Sequence, residues 1–64
     1  MTITITALHK EDAWYPMRAE IIGTTGKVQG RIINTGDEWY NLTIVTERGE
    51  ELGFAFCQFE KKAG

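Results

Sequence analysis

The sequence predicts an all-β fold, a single small domain over residues 1–64 in which five short strands form a barrel. Apolar residues recur at every second position along most of the chain, which is the pattern of strands that bury one face. Turn-forming glycines separate these runs at intervals of roughly ten residues, a spacing typical of sandwiches and barrels. We expect a barrel because a closed sheet hides the strand edges of a domain this small.

Five segments of the chain carry the strand pattern. Residues 2–8 alternate threonine with aliphatic side chains, and both types favour strands. A polar connection follows at residues 9–12, and Trp14-Tyr15-Pro16 ends it, because proline donates no ladder hydrogen bond. The other strands are predicted at residues 17–22, 27–34, 39–47 and 51–59, with turns at residues 23–26, 35–38 and 48–49.

The alternation also predicts which side chains face the core. Gly30 stands inside a predicted strand, where a glycine often marks a sharp bend. Trp39 and Asn41 fall on the outward face of the following strand, with Trp39 beside a turn. The residues expected to point inward are Val28 and Ile32, then Tyr40, Leu42 and Ile44, and finally Leu52, Phe54 and Phe56.

The length of the chain predicts self-association. A domain of this size buries only about 60% of the surface of its unfolded chain, so disulfides, a metal or oligomerisation usually add stability. Cys57 is the only cysteine and His9 the only histidine, which excludes an internal disulfide and an ordinary structural zinc site. We therefore expect a homo-oligomer that holds no metal and no cofactor.

Charge and hydropathy narrow the choice of partners. Seven Lys and Arg residues stand against nine Asp and Glu, a net charge of −2, so any nucleic-acid binding must be local. No run approaches the roughly 20 apolar residues that a membrane span needs. The lone cysteine and the lack of an apolar run of signal-peptide length predict a cytoplasmic protein that does not enter the membrane.

The residue types that carry catalysis do not assemble into a site, so we expect no enzyme. With one histidine, a Ser-His-Asp arrangement cannot form, and Cys57 lies in an apolar strand where a buried, inert thiol is expected. Glu11 and Asp12 are adjacent and face opposite ways in an extended chain, so a solvated surface is expected there. Residues 23–27, GTTGK, lack the full spacing of a phosphate-binding loop.

Two segments in the middle of the chain carry a family motif: residues 28–32, VQGRI, and residues 37–42, DEWYNL. Together they resemble the first motif of the Sm and Sm-like family, which includes the bacterial Hfq-type proteins. That motif places Gly between two apolar residues in a bent strand, followed by Asp, an aromatic residue and Asn at alternate positions. The second motif of the family, an Arg-Gly pair after the fourth strand, is not found. The matching residues are Gly30, Ile32, Asp37, Trp39 and Asn41.

The resemblance implies a strongly bent, SH3-like or Sm-like barrel whose copies pair edge to edge in a ring and bind single-stranded RNA or DNA. It implies that Trp39 stacks a base, that Asn41 reads the base edge, and that Asp37 holds the loop and orients Asn41. Stacking of this kind contributes about 1–3 kcal/mol per base. Arg31 and Lys27 share a predicted strand face, where they either meet phosphates or stay solvated.

A second function remains open from the sequence. The chain is also suited to a protein–protein interaction module, or to a small inhibitor of the kind that a phage encodes. Trp14, Trp39 and the phenylalanines would then form the partner interface, and the negative net charge favours this alternative.

Overall fold

The computed structural model of the protein describes residues 1–12 and 21–62. These residues form an all-β structure, as predicted. Each neighbouring pair of strands is antiparallel, and the pairing runs from β1 to β2, β3 and β4 and back to β1, so the sheet closes on itself. The strands are β1 (Thr2–Leu8), β2 (Thr25–Gly36), β3 (Trp39–Val45) and β4 (Glu51–Lys61).

The number of strands differs from the prediction. Four strands, not five, are present among the described residues, so the five-stranded barrel is not confirmed. The strand predicted at 17–22 and the Trp14-Tyr15-Pro16 segment lie mostly outside the described residues. Its last residues, Ile21 and Ile22, belong to a turn, because the amide of Thr24 donates back to the carbonyl of Ile21 at 3.0 Å.

Strand β2 begins earlier than predicted because Gly26 is part of the sheet rather than of a turn. Gly26 pairs with Ile3 of β1 and is buried. A Cβ atom at this position would lie 2.8 Å from the carbonyl oxygen of Val45 and 3.1 Å from Ile44, so only glycine lets β2 approach β3 this closely. The strand starts at Thr25, whose hydroxyl lies 2.8 Å from that of Thr4.

A compact group of side chains fills the closed sheet. Cys57 is completely buried, as expected, and its thiol donates to the carbonyl of Tyr40 at 3.4 Å. The ring of Tyr40 packs edge-on against Phe59 at 5.1 Å between centroids and covers the edge of this group. The buried core consists of Ile3, Ile5, Leu8, Leu42, Ile44, Phe54 and Cys57.

A bulge in β4 reverses the predicted direction of two side chains. Leu42 pairs with Phe54 and Tyr40 pairs with Cys57, so β4 carries one residue more than β3 between these pairs. An extra residue shifts every following side chain to the opposite face. The inward position predicted for Phe56 is therefore wrong: Cys57 takes it, and Phe56 is only partly buried.

A second irregularity lies in β2 at Gly30. Gln29 pairs with Thr43 and Ile33 pairs with Asn41, which leaves two extra residues on β2. Gly30 has a φ of +78°, a backbone conformation that favours glycine. The bend predicted from this glycine is confirmed.

Asp12 is another correction, since the sequence predicts a solvated carboxylate there. The residue is only 2% exposed, and its Oδ2 accepts a hydrogen bond from the amide of Ala55 at 3.0 Å. Ala55 lies in the β4 bulge, where the ladder to β3 is interrupted. The carboxylate is buried because it supplies an acceptor for this amide.

Candidate nucleic-acid interface

An open groove runs across the outer face of β2, β3 and β4. It encloses about 430 Å³ and includes two of the predicted site residues, Arg31 and Asn41. The other residues that line it are Ile33, Leu42, Thr43, Gly53, Phe54 and Ala55.

Strand register and residue size give the groove its shape. Ile33 on β2 lies opposite Asn41 on β3, and Thr43 lies opposite Gly53 on β4. At Gly53 a Cβ atom would lie 3.7 Å from the hydroxyl of Thr43, so the missing side chain leaves open depth without a steric need for glycine. Small residues on β4 thus form the floor. The sequence signal for them was weak, because Gly53 reads only as a glycine within a strand.

Asn41 carries the most informative atom of the groove. Its side-chain oxygen Oδ1 is buried and has no hydrogen-bond partner among the described residues. A buried acceptor left unsatisfied costs about 1–3 kcal/mol. An N–H donor from a bound molecule would remove this cost.

Arg31 contributes positive charge at the same groove. It is exposed, and no described residue forms an ion pair with it. A guanidinium stays charged at any physiological pH and presents several N–H donors in a plane. The groove therefore combines an unsatisfied acceptor with a cation that is free to bind an anion.

Trp39 lies on the same face of β3 as Asn41, two residues away, but it also packs against its own chain. Its ring meets the imidazole of His9 edge-on, with centroids 4.7 Å apart and an angle of 78°. His9 is held by two hydrogen bonds: its amide donates to the carbonyl of Phe56 at 2.8 Å, and its Nδ1 accepts from the amide of Glu11 at 3.0 Å. An edge-on contact uses one indole face at most, which leaves the other free of His9.

Asp37 lies at the tip of the β2–β3 hairpin, and other residues hold this loop. Asp37 is exposed, has a φ of +53°, and makes no hydrogen bond through its carboxylate to any described residue. Asn34 Oδ1 accepts from the amide of Gly36 at 2.8 Å, and the hydroxyl of Thr35 donates to the carbonyl of Trp39 at 2.9 Å. The loop contacts that the resemblance implies for Asp37 are thus made by Asn34 and Thr35.

Lys27 lies away from the groove. It pairs with Val45, four residues along β3 from Asn41, and borders a different cavity with Thr2, Thr46 and Glu47. The bulge between Gln29 and Ile33 separates Lys27 from Arg31, although both lie on the outer face.

Two further searches of residues 1–12 and 21–62 gave negative results. No three His, Cys, Asp or Glu side chains there lie close enough to share a metal ion. No helix in that part of the chain has the length and apolar character needed to cross a membrane.

Comparison of the chain with protein-family models, with curated proteins and with solved structures gives no match. The resemblance to the first Sm motif therefore rests on the residues of the chain alone.

Proposed function

We propose that the protein binds single-stranded nucleic acid, RNA in the first place, through the groove between Arg31 and Asn41. In this proposal the chain is a bent barrel of the Sm-like kind that assembles as a homo-oligomeric ring and acts in RNA processing in the cytoplasm. Asn41 reads a base, Arg31 contacts a phosphate, and Trp39 stacks a base next to the groove.

The unsatisfied Oδ1 of Asn41 is the observation that carries this proposal. Nucleobases present N–H groups on their edges, and a single-stranded base is free to turn such an edge toward an acceptor. A base that donates to Asn41 removes the cost of the buried acceptor, so binding and desolvation favour each other.

The neighbours of Asn41 suit the other parts of a nucleotide. Arg31 offers its guanidinium to a phosphate oxygen, and such charge-assisted hydrogen bonds are stronger than neutral ones. Ile33 is 56% exposed beside the groove and gives apolar contact for a base. The free face of Trp39 supports stacking, which tolerates any base.

Substitution of Asn41 separates a binding role from a structural one. Asn41→Leu keeps the volume and removes the buried acceptor. We expect the free energy of unfolding to stay the same or rise by up to about 1 kcal/mol, while affinity falls about tenfold, or about 1.4 kcal/mol. The measurements are urea unfolding, and fluorescence anisotropy of labelled oligouridylate and oligoadenylate RNA and the corresponding DNA.

Gln58→Leu is the matched control, because Gln58 is also a half-buried amide on the sheet but does not line the groove. It should leave affinity unchanged. Equal affinity of Asn41→Leu and the unsubstituted protein would show that the groove is not the nucleic-acid site.

A protein-binding function is the second candidate, favoured by the exposed Ile33 beside the groove and by the net charge of −2. It predicts no affinity for any oligonucleotide even at low salt. The same anisotropy titration therefore decides between the two candidates.

A further inference from the structure

The second half of β2 has one free edge. Strand β1 pairs with β2 only at Thr25, Gly26 and Lys27, and the amide of Val28 donates to the carbonyl of Met1 at 2.8 Å. From Gln29 to Gly36, β2 pairs with β3 alone among the described residues. An unpaired strand edge presents N–H and C=O groups that can pair with a further strand.

The side chains along this edge do not protect it. Ile33, at the middle of the stretch, is one of the most exposed large apolar residues of the described chain at 56%. The regular part of the edge spans residues 31–35, because Gly30 and Gly36 have φ values of +78° and +120°. Arg31 is the only charged residue within it.

We propose that two copies of the chain pair antiparallel through residues 31–35 of β2, about a two-fold axis at Ile33. The axis places Ile33 opposite Ile33 of the other copy, and Arg31 opposite Thr35 of the other copy. An apolar pair then stands at the centre, and no like charges face each other, so the segment is complementary to itself.

A second copy fits this edge better than a foreign strand for two reasons. The sequence of residues 31–35 is self-complementary, with its one charge off the axis. The buried core of the described chain has only seven apolar residues, and a domain this small commonly gains stability by association. Five residue pairs make a small interface, so the dimer is expected to dissociate on dilution.

The pairing also joins two binding surfaces. Arg31 and Ile33 line the groove and lie on the paired segment, so the grooves of the two copies meet across the axis. The dimer does not depend on nucleic-acid binding, and its test needs no ligand. The contact is isologous and closes with two copies, whereas a ring requires a heterologous contact.

The mass of the unsubstituted protein is the first test. Sedimentation equilibrium over a wide concentration range should give a monomer at low concentration and a dimer at high concentration. Ile33→Lys places like charges at the axis and should leave a monomer throughout, whereas Ile22→Lys, at the exposed turn before β2, should dimerise normally. A monomer at every concentration, or dimers of Ile33→Lys at the original concentrations, would overturn the proposal.

Cross-linking tests the register. Opposite residues in an antiparallel pair have Cα atoms about 4.5–5.5 Å apart, which suits a disulfide, so Ile33→Cys should form a covalent dimer on mild oxidation. Copies of Thr35→Cys would lie about 14 Å apart and should not cross-link. Ile22→Cys measures chance collisions, and the buried Cys57 gives the background. Equal rates for Ile33→Cys and Ile22→Cys would contradict the two-fold pairing.

Discussion

At the scale of single residues, two polar side chains have opposite relations to the fold. Asp12 is buried with a hydrogen bond to the amide of Ala55, whereas the Oδ1 of Asn41 is buried without a partner. The first oxygen stabilises the native structure, and the second costs stability. Since Ala55 also lines the groove, Asp12 fixes the backbone next to the site while Asn41 stays available for a ligand.

Asp12→Ala should therefore destabilise the protein. It leaves the bulge amide of Ala55 without its acceptor, which costs about 1–3 kcal/mol in the free energy of unfolding. Urea unfolding measures the change. Asp12→Asn keeps an acceptor oxygen and should recover a substantial part of the loss. Full stability of Asp12→Ala would show that another group satisfies this amide.

Two glycines on neighbouring strands should respond differently to an added methyl group. In Gly26→Ala the new Cβ would lie 2.8 Å from the backbone oxygen of Val45, which cannot move without separating β2 from β3. We expect a loss of about 1–3 kcal/mol, as for other overpacked sites. In Gly53→Ala the closest atom is 3.7 Å away, an ordinary contact, so stability should change by less than about 0.5 kcal/mol. Thermal unfolding of both variants compares them directly, and equal losses would mean that the strands separate easily at Gly26.

At the scale of elements, the sequence predicted strands well where alternation was regular. The observed β1, Thr2–Leu8, has its predicted bounds, and β3, Trp39–Val45, starts where expected, because each strand keeps one apolar face throughout. Failures came at irregularities. Phe56 and Cys57 are both suited to a core, and a bulge that exchanges them leaves no mark in the alternation.

The candidate site shows the same division. The position of Asn41 on the outer face followed from its place between Leu42 and Tyr40 on β3. The burial of Asp12 could not be predicted, because its partner Ala55 is far along the chain and bonds through its backbone. The separation of Lys27 from Arg31 was also hidden, since it depends on two extra residues at the β2 bulge.

At the scale of the whole molecule, the charge distribution sets how binding should vary with salt. The chain has a net charge of −2, and Arg31 is the only cation among the described residues that line the groove. One phosphate contact on a single strand gives a slope of about −0.7 in log affinity against log salt. Affinity should then fall only about threefold between about 50 and 200 mM salt.

Arg31→Gln should remove this salt dependence, and Lys27→Gln, which changes a cation at a separate cavity, should keep it. Anisotropy titrations of both variants at several salt concentrations measure the slopes. A slope near −1.4 for the unsubstituted protein that Lys27→Gln halves would show that one strand reaches both cations.

The short seam between β1 and β2 has a consequence for any polypeptide fused ahead of Met1. The two strands are antiparallel, and Met1 already lies beside Val28, so preceding residues would run alongside Gln29 and onward toward Ile33. A purification tag at that end would act as an intramolecular competitor, tethered at a high effective concentration to the edge that we assign to the second copy. A tag after Lys62, whose amide bonds to Thr2 from the opposite side of β1, leaves that edge accessible.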